Sequence, residues 1–499
     1  MKTKYIIPFL ALGFLLTSCK KLVEVLPQNS LATSVALTDV NGYQALLISV
    51  YDRIQDFGYY GRDLALEGDV LADNAFVSSG NGTRYLTTNT NSRGAIYDIW
   101  SNAYSGINEL NNIIVGIDGI STINTTQALL KQQIKSEAYA LRGLIYFDIA
   151  RIYGYEPNTI PTIGTGAGFD KSAVLRLTPT LVVDNATLQN RATITETYAQ
   201  IEKDLSAAIT NFQALTQLSG YSKPTTPYRI TESATHALLG KVYLYERKYS
   251  NASTEFDNAL NSNISFARAA GAGGYVSAFK TIPNPESLFE INFNQALEMS
   301  GVTGVNNSLF TYTQPSNYTN TGAFNGLSTY GTVTASAELV ALFGSTDDRR
   351  AMFFNSRSAN TSTNFTWVNK YSGAGGAYTD DVPIIRYSDV VLMKAEALAN
   401  LGSYAVAGEL IRTLRTNRNA STAGVPTDAT LLAYIQDERR RELFFEGHRW
   451  FDLKRLGNGI TKPAATAVGT IAATDYRILG QVLTSEVNLN PSLPQNPGY

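Results

Sequence analysis

Cysteine and histidine are almost absent from this 499-residue chain, which contains one cysteine, Cys19, and two histidines. A single cysteine excludes an intramolecular disulfide. Charged side chains make up only 16% of the residues, and 40 basic residues nearly balance 42 acidic ones, which gives no indication of a nucleic-acid partner. The zinc-binding patterns HExxH and CxxC are both missing, so we predict no metal site and no cofactor.

Long apolar runs are also missing. After the N-terminal segment, no stretch of the sequence reaches the roughly 20 apolar residues of a membrane-spanning helix. The chain begins with two lysines, an apolar run over 5–16 and the residues TSC at 17–19. This order is typical of a secretory signal. Residues 16–19 resemble the bacterial lipoprotein signal, which implies a signal peptide over 1–18 and lipidation of Cys19. A signal peptide with an incidental cysteine, or a buried structural thiol, is the alternative.

Helical periodicity is strong in the remaining chain. Apolar residues recur at three- and four-residue spacing in the blocks 40–57, 97–117, 127–153, 195–213, 230–247, 250–261, 386–401, 404–416 and 428–456. The segments rich in Gly, Ser, Thr, Asn and Pro are 72–95, 154–194, 214–229, 262–335 and 355–382. Long irregular segments in compact proteins are often functional loops. We therefore expect one all-α scaffold with long loop-rich insertions.

Two of the helical blocks have the spacing of a tetratricopeptide repeat. In 236–260, the small residues Gly240 and Ala252 would let two helices approach closely, while Tyr243 and Phe256 fill the groove between them. A weaker copy occupies 391–414, and 137–146 resembles a first helix whose expected partner is 195–213. A generic helical hairpin, which shares some of these features, is the alternative.

Three stretches carry a family resemblance when they are taken together and in order. They are EAYALRGLIYFDIARIYG at 137–154, PIIRYSDVVLMKAEA at 383–397 and ERRRELFFEGHRWFDLKR at 438–455. The set resembles the SusD/RagB family of outer-membrane lipoproteins of Bacteroidetes-type bacteria, and the resemblance covers nearly the whole mature chain. It implies a SusD-like N-terminal region over 19–230 and a RagB/SusD C-terminal region over 231–499, which together form one compact unit.

The resemblance also implies a function. Members of the family have tetratricopeptide-like helical pairs and a loop-rich face that carries the ligand. They bind oligosaccharides or, in some branches, peptides, have no catalytic activity, and work with a SusC-like TonB-dependent transporter. We therefore expect a lipid anchor in the outer membrane and exposure at the cell surface. A lysine follows Cys19, which permits sorting to the outer membrane.

The charged residues of the motifs could instead suggest catalysis. Glu442 and Glu446 lie one turn apart on a predicted helix over 437–456, and paired carboxylates serve glycosidases. Neighbouring arginines at 439–441 and Arg449 are expected to keep both carboxylates ionised, whereas a general acid needs the opposite shift. We therefore predict a structural ion-pair network that connects this helix to the earlier motif. Its members are Glu137, Arg142, Asp148, Glu442, Glu446, Arg449 and Asp452.

Candidate ligand contacts come from loop aromatics, since sugars are bound by rings and by amide or carboxylate groups. The resemblance assigns Asn74 and Tyr85 in the loop 72–95. The loop 305–330 contributes Phe310, Tyr312, Tyr318, Phe324 and Tyr330. Trp100 and Trp450 are assigned to the core, and Trp367 is expected to be exposed. The alternative is that these rings anchor the loops to the scaffold.

Three functions therefore stay open. The first is a surface lipoprotein that captures oligosaccharides, and the second is a peptide-binding protein or a protein-interaction scaffold. The third is a glycosidase that uses Glu442. The resemblance also bears on the glycan, because starch-binding members of the family often present loop tryptophans. Their absence from 72–95 and 305–330 puts starch in doubt and leaves the glycan open.

Overall fold

α-Helices form the scaffold of the protein. The structure is a computed structural model that describes residues 37–79, 83–180, 188–271, 273–316, 327–358 and 361–499. The helices are α1 (Val40–Gln55), α2 (Asp63–Leu71), α3 (Leu86–Asn89), α4 (Trp100–Gly116), α5 (Thr125–Tyr153), α6 (Ile194–Thr216), α7 (Glu232–Tyr245), α8 (Tyr249–Leu260), α9 (Gly274–Phe279), α10 (Gly301–Asn307), α11 (Leu309–Thr313), α12 (Ala337–Val340), α13 (Tyr387–Asn400), α14 (Tyr404–Asn417), α15 (Leu431–Leu443), α16 (Arg449–Arg455) and α17 (Thr484–Leu489).

The strands are short and join in antiparallel pairs. They are β1 (Ala75–Val77), β2 (Ser287–Ile291), β3 (Val333–Ala335), β4 (Phe353–Arg357), β5 (Asn364–Val368), β6 (Val382–Arg386), β7 (Ile460–Thr461) and β8 (Thr470–Ile471). The pairs are β1–β3, β2–β6, β4–β5 and β7–β8. Several of these strands lie within segments that the sequence analysis expected to be irregular.

The longer helices pack largely in chain order, which confirms the predicted all-α architecture. Helix α4 packs on α1 and α5, α6 on α5 and α7, α8 on α7 and α13, and α13 on α14 and α15. The sequence also prescribes where helices begin. At the start of α6, Thr193 and Glu196 form a reciprocal capping box, in which each side chain bonds to the other residue's backbone N–H, so two otherwise unpaired amides are satisfied.

Two glycines set the closest helix contacts. A Cβ atom at Gly240 of α7 would lie 2.6 Å from the Phe256 ring of α8, and one at Gly143 of α5 would lie 2.7 Å from Leu205 of α6. Both contacts require a residue without a side chain. They confirm the predicted close approach in 236–260 and the predicted pairing of the first motif with 195–213.

The predicted helical blocks correspond to α1, α4 to α8, α13 and α14 within a few residues. The prediction of one helix over 428–456 is wrong, because α15 ends at Leu443 and α16 begins at Arg449. Phe445 and Gly447 between them have positive φ. A Cβ atom at Gly447 would lie 1.9 Å from the Leu64 carbonyl, so only glycine lets the chain turn here against α2. The sequence did not predict this contact.

A small sheet connects the two loops that were expected to bind ligand. Strand β1 follows the start of the first loop, and β3 ends the second, with Ala75 opposite Ala335 and Val77 opposite Val333. Just before β3, the N–H groups of Tyr330 and Thr332 donate to the carbonyls of Thr311 (2.8 Å) and Tyr312 (3.0 Å) in α11. The two loops are therefore neighbours in space.

Candidate ligand-binding site

Three tyrosines from the two loops meet on one face of the protein. The ring centroids of Tyr85 and Tyr312 are 5.3 Å apart, and those of Tyr312 and Tyr330 are 5.8 Å apart. The guanidinium of Arg62 lies 4.6 Å from the Tyr312 centroid, and that of Arg84 lies 3.3 Å from the Tyr330 centroid. We call these five residues the tyrosine cluster. Such short separations between rings and cations are typical of cation–π contacts.

Arg62 lies between the aromatic rings and a neighbouring carboxylate. Its Nε donates to Asp63 Oδ1 at 2.7 Å, and its Nη1 approaches Tyr312 Oη at 3.3 Å. The hydroxyl of Tyr85 donates to the same Asp63 carboxylate. Burial followed by the Asp63 charge raises the pKa of Tyr85 well above its ordinary value, so the phenol stays neutral and keeps its proton in the bond to Asp63.

Helix α10 completes one edge of the cluster. The hydroxyl of Tyr330 donates to Asn306 Oδ1, and Arg62 reaches Asn307 Oδ1 at 3.4 Å. Asn306 is exposed, while Tyr85 and Tyr330 are half-buried. Tyr312 is only 7% exposed, so the accessible rings are those of Tyr85 and Tyr330. Together with amide and guanidinium groups, these two rings offer the chemistry that recognises a sugar ring and its hydroxyls.

The other predicted ligand residues have different environments. Phe310 is 1% exposed and packs edge-on against Tyr378. Asn74 is also 1% exposed, because its side chain is used by Asp69 and Arg440. These two side chains have no accessible surface with which to meet a ligand. Tyr318, Phe324 and the lipidation residue Cys19 lie outside the described residues.

The expectation that Trp367 is exposed is wrong. This residue lies on β5 and is 0% exposed, and its indole N–H donates to the Ser356 carbonyl at 3.0 Å. Pairing of β5 with β4 directs the ring inward, which composition alone did not indicate because the segment is rich in polar residues. Trp100 and Trp450 are buried, as predicted.

Sequence reasoning missed Arg62, Asp63 and the two asparagines of α10. Arg62 belongs to the short segment between α1 and α2, and no periodic pattern marked it. One signal was available, since Tyr59, Tyr60 and Gly61 precede it and interrupt the helical pattern. Its role depends on a contact with Tyr312, 250 residues later, and single-sequence patterns do not predict such contacts.

The strongest sequence motif forms a separate and fully buried ion-pair network. Glu442 accepts from Arg418 at 2.8 Å and from Arg386 at 3.1 Å, and it pairs with Arg349 at 3.1 Å. Arg386 also binds Glu446 at 2.7 Å. We call these five residues the buried charge cluster, and all but Glu446 are at most 2% exposed.

Both carboxylates of the buried charge cluster are ionised. Burial opposes ionisation of Glu442, but the charges of Arg418 and Arg386 outweigh it and hold the pKa of this carboxyl well below its usual range. The pKa of Glu446 is lowered in the same way by Arg386 and Lys370. A general acid of a glycosidase requires a raised pKa, so these carboxylates do not have the properties of a catalytic pair.

The predicted network is real, but its partners differ from the prediction. Arg142 pairs with Asp204 of α6 at 2.6 Å, and Asp148 pairs with Arg151 at 2.6 Å. Neither residue contacts the buried charge cluster. Arg142 joins α5 to α6, and Asp148 pairs with a residue of its own helix. The arginines that neutralise Glu442 come from three distant segments instead of from 439–441.

The remaining motif residues form ion pairs outside the buried charge cluster. Glu137 accepts from Arg229 at 2.9 Å, and Asp452 pairs with Arg439 at 3.0 Å. Arg449 makes a two-point contact with Asp73, with distances of 2.7 and 2.8 Å. Arg449 therefore connects the C-terminal motif to the loop that leads to Tyr85.

The two histidines have opposite protonation tendencies. Burial lowers the pKa of His448 to about 3, which leaves the ring neutral. Burial also disfavours charge on His236, but hydrogen bonds to Glu232 and Glu255 outweigh it and raise its pKa to about 9. In the part of the chain that the structure describes, no group of three or more His, Cys, Asp or Glu side chains is placed to hold a metal ion.

A cavity of about 370 Å³ lies apart from these groups, beside α4 and α17. The rings of Trp100 and Tyr104 border it, with centroids 4.7 Å apart and planes inclined at 48°. Trp100 is only 3% exposed, and the hydroxyl of Tyr104 accepts the Val174 N–H at 2.7 Å. Both rings are therefore engaged in packing, and the tyrosine cluster is the candidate ligand face.

A search of the described helices finds none long and apolar enough to cross a bilayer.

Comparison with known proteins places this architecture in a family. Residues 353–499 match the model of the SusD family, and residues 24–244 match a model described as starch-binding, associating with the outer membrane. SusD-like protein P38 of Formosa agariphila is 26% identical, and the match covers 97% of this chain and 96% of that protein. SusD-like protein P2 of the same organism is 25% identical over 99% of this chain and 100% of that protein.

Solved structures show the same fold. A SusD superfamily protein from Bacteroides thetaiotaomicron aligns with a TM-score of 0.74 and 24% identity, and covers 92% of this chain and 100% of that structure. A putative sugar binding protein from Bacteroides vulgatus aligns with a TM-score of 0.75 and 24% identity, over 93% and 99% of the two chains. The chain belongs to the SusD/RagB family, as its three motifs indicated.

Proposed function

We propose that this SusD-family chain is an outer-membrane lipoprotein that captures oligosaccharides at the tyrosine cluster and delivers them to a SusC-like TonB-dependent transporter. The family description, starch-binding and associating with the outer membrane, supports carbohydrate binding and the location. The lipid anchor at Cys19, the surface exposure and the transporter partner rest on the sequence motifs and the resemblance. The protein acts by binding and release, without turnover of the glycan.

One observation supports the location of the site. The two loops that the sequence marked as ligand candidates converge, so that Tyr85 and Tyr330 present accessible rings on either side of the mostly buried Tyr312 and Arg62. Rings stack on the apolar faces of pyranoses, while the amides of α10 and the guanidinium groups can bond the hydroxyls. A neutral or modestly polar oligosaccharide fits this combination better than an apolar ligand does.

The test is a glycan-array screen of the purified mature chain, followed by calorimetric titration of the best ligand. Tyr312→Ala is expected to weaken binding at least tenfold, because it removes the central ring and its contact with Arg62. Tyr434→Ala is the matched control, since this tyrosine also lies under arginine side chains, those of Arg415 and Arg441 at 5.6 Å, but outside the cluster.

Each outcome decides between the functions that the sequence left open. Unchanged affinity of Tyr312→Ala in a folded protein would contradict the site. Binding of peptides but of no glycan would favour the peptide-binding branch. Release of shorter products from a bound glycan, abolished by Glu442→Gln, would overturn the binding-only function.

A further inference from the structure

The C-terminal motif reaches the loop that leads to the candidate site through Asp73. Both carboxylate oxygens of Asp73 accept from Arg449, with Nε to Oδ1 at 2.7 Å and Nη2 to Oδ2 at 2.8 Å. Arg440 adds a bond from Nη2 to the Asp73 backbone carbonyl at 2.9 Å. Two parallel bonds between a guanidinium and a carboxylate fix orientation as well as distance.

The next residue, Asn74, is held from two sides. Its Oδ1 accepts from Arg440 Nε at 2.5 Å, and its Nδ2 donates to Asp69 Oδ1 at 2.7 Å. The side chain amide is thus oriented by a cation on one side and a carboxylate on the other. We call Asp73 and Asn74, which these arginines hold, the anchor. Asn74, which the resemblance assigned to the ligand, is therefore part of the anchor.

A chain of hydrogen bonds connects Asp73 and Asn74 to the segments that carry two of the tyrosines. Ser336 N–H donates to the Asn74 carbonyl and Ser336 Oγ to the Asp73 carbonyl, each at 2.8 Å. Strand β1 then pairs with β3, and the chain just before β3 bonds to the backbone of α11, where Tyr312 lies. Tyr330 precedes β3 by three residues, so its position depends on the same ladder.

The third tyrosine is connected by a side chain. The N–H of Val77, the last residue of β1, donates to Asn89 Oδ1 at 3.0 Å. Asn89 ends α3, and Tyr85 stands immediately before that helix with a positive φ of 53°. An isolated pair of three-residue strands has little stability of its own, so tertiary contacts must hold β1 in place.

We propose that Arg449 and Arg440 are positioning residues for the tyrosine cluster, because they anchor Asp73 and Asn74 and thereby set the place of β1, β3 and α3. This inference rests on the proposed function for its effect on glycan affinity, but its structural part stands on the hydrogen bonds alone. The arginines do not touch the ligand. They act through the backbone, which holds the three rings in one arrangement.

Arg449→Met and Asp73→Asn test the proposal. Each is expected to raise the Kd for the glycan about tenfold, and the double variant is expected to raise it no further than the more affected single variant, because both changes break one contact. Arg142→Met is the matched control. Arg142 makes an equally close two-point contact with Asp204, at 2.8 and 2.6 Å, but that contact joins α5 to α6.

A purely structural role would lower the Tm of both arginine variants without changing the Kd of the folded protein. Amide hydrogen exchange gives a second readout that needs no ligand. Exchange over 73–77, 85–91 and 329–336 is expected to become faster in Arg449→Met and to stay unchanged in Arg142→Met. If Arg449→Met does not fold, Arg440→Met removes the other arginine that holds the anchor and provides the same two measurements.

The outcomes separate this inference from the proposed function. Loss of binding in Tyr312→Ala with normal binding and normal exchange in Arg449→Met would overturn the positioning role alone. Absence of any glycan binding would overturn the proposed function, while faster exchange in those three segments of Arg449→Met would still support the anchor. Unchanged exchange there would overturn the inference whatever the ligand is.

Discussion

The tyrosine cluster and the buried charge cluster both place a carboxylate-paired arginine over an aromatic ring, yet they differ in exposure. Arg62 lies 4.6 Å from the Tyr312 centroid, and Arg418 lies 4.0 Å from the Tyr275 centroid. Arg418 is 0% exposed and is neutralised by Glu442. In the tyrosine cluster, the rings of Tyr85 and Tyr330 keep accessible surface.

This difference in exposure distinguishes a cluster that stabilises the fold from one that is proposed to bind a ligand. Buried charges need partners on every side, because desolvation of an unpaired ion costs several kcal/mol, and such a network leaves no group for a ligand. A half-buried ring beside amides has unsatisfied surface, so a sugar can replace water there. The same pair of residue types therefore stabilises the fold in one place and belongs to the proposed ligand site in the other.

The largest expected effect comes from breaking the buried charge cluster. Glu442→Gln leaves three arginines without their common carboxylate and should lower the free energy of unfolding by about 3–5 kcal/mol. Chemical denaturation measures this change. The Kd of the folded protein for glycan should stay within about twofold of the wild-type value, and a larger change would connect the two clusters energetically.

Glu409→Gln is the control for this variant. Glu409 forms an exposed pair with Arg412 at 3.4 Å, and exposed pairs contribute little. A comparable loss of stability in this control would mean that burial does not explain the effect at Glu442.

The reciprocal change is Tyr330→Ala, which removes one ring of the tyrosine cluster. Loss of a stacking surface should raise the Kd for glycan about tenfold, equivalent to about 1.4 kcal/mol. Because Tyr330 is half-buried, the free energy of unfolding should change by less than about 1 kcal/mol. Titration calorimetry and denaturation of the same preparation provide both values, and a large stability loss with unchanged affinity would reverse the assignment.

The smallest effect is expected at a charge that belongs to neither cluster. The pKa of His236 is raised to about 9, above its value of about 6.5 in the unfolded chain. Its contribution to stability is therefore complete below about pH 6.5 and is lost as the pH rises through 9. Partial solvent screening limits it to about 1 kcal/mol.

Comparison of the wild type with His236→Asn measures this contribution. The difference in their free energies of unfolding should shrink between pH 6.5 and 9.5. Glu255→Gln removes the partner that lies 2.6 Å from the ring and should flatten the pH dependence. A difference that grows with pH would contradict the raised pKa.

Part of the site could be predicted from sequence because its signals are local. The loop aromatics Tyr85, Tyr312 and Tyr330 stood out since they occur in Gly-, Asn- and Thr-rich segments that are hard to place in a core. Trp367 stood out in the same way, but pairing of β4 with β5 buries it. Composition identifies an unusual ring, whereas strand pairing decides which way it points.

The sequence by itself determined the helical scaffold, the close contacts at Gly143 and Gly240, and the family, because periodicity and ordered motifs are properties of neighbouring residues. Only the tertiary structure decided which arginines neutralise Glu442, that Gly447 turns the chain against α2, and that Arg62 meets Tyr312. These contacts join segments that lie far apart in the chain. Their partners are selected by the geometry of packing, for which a single sequence carries no local signal.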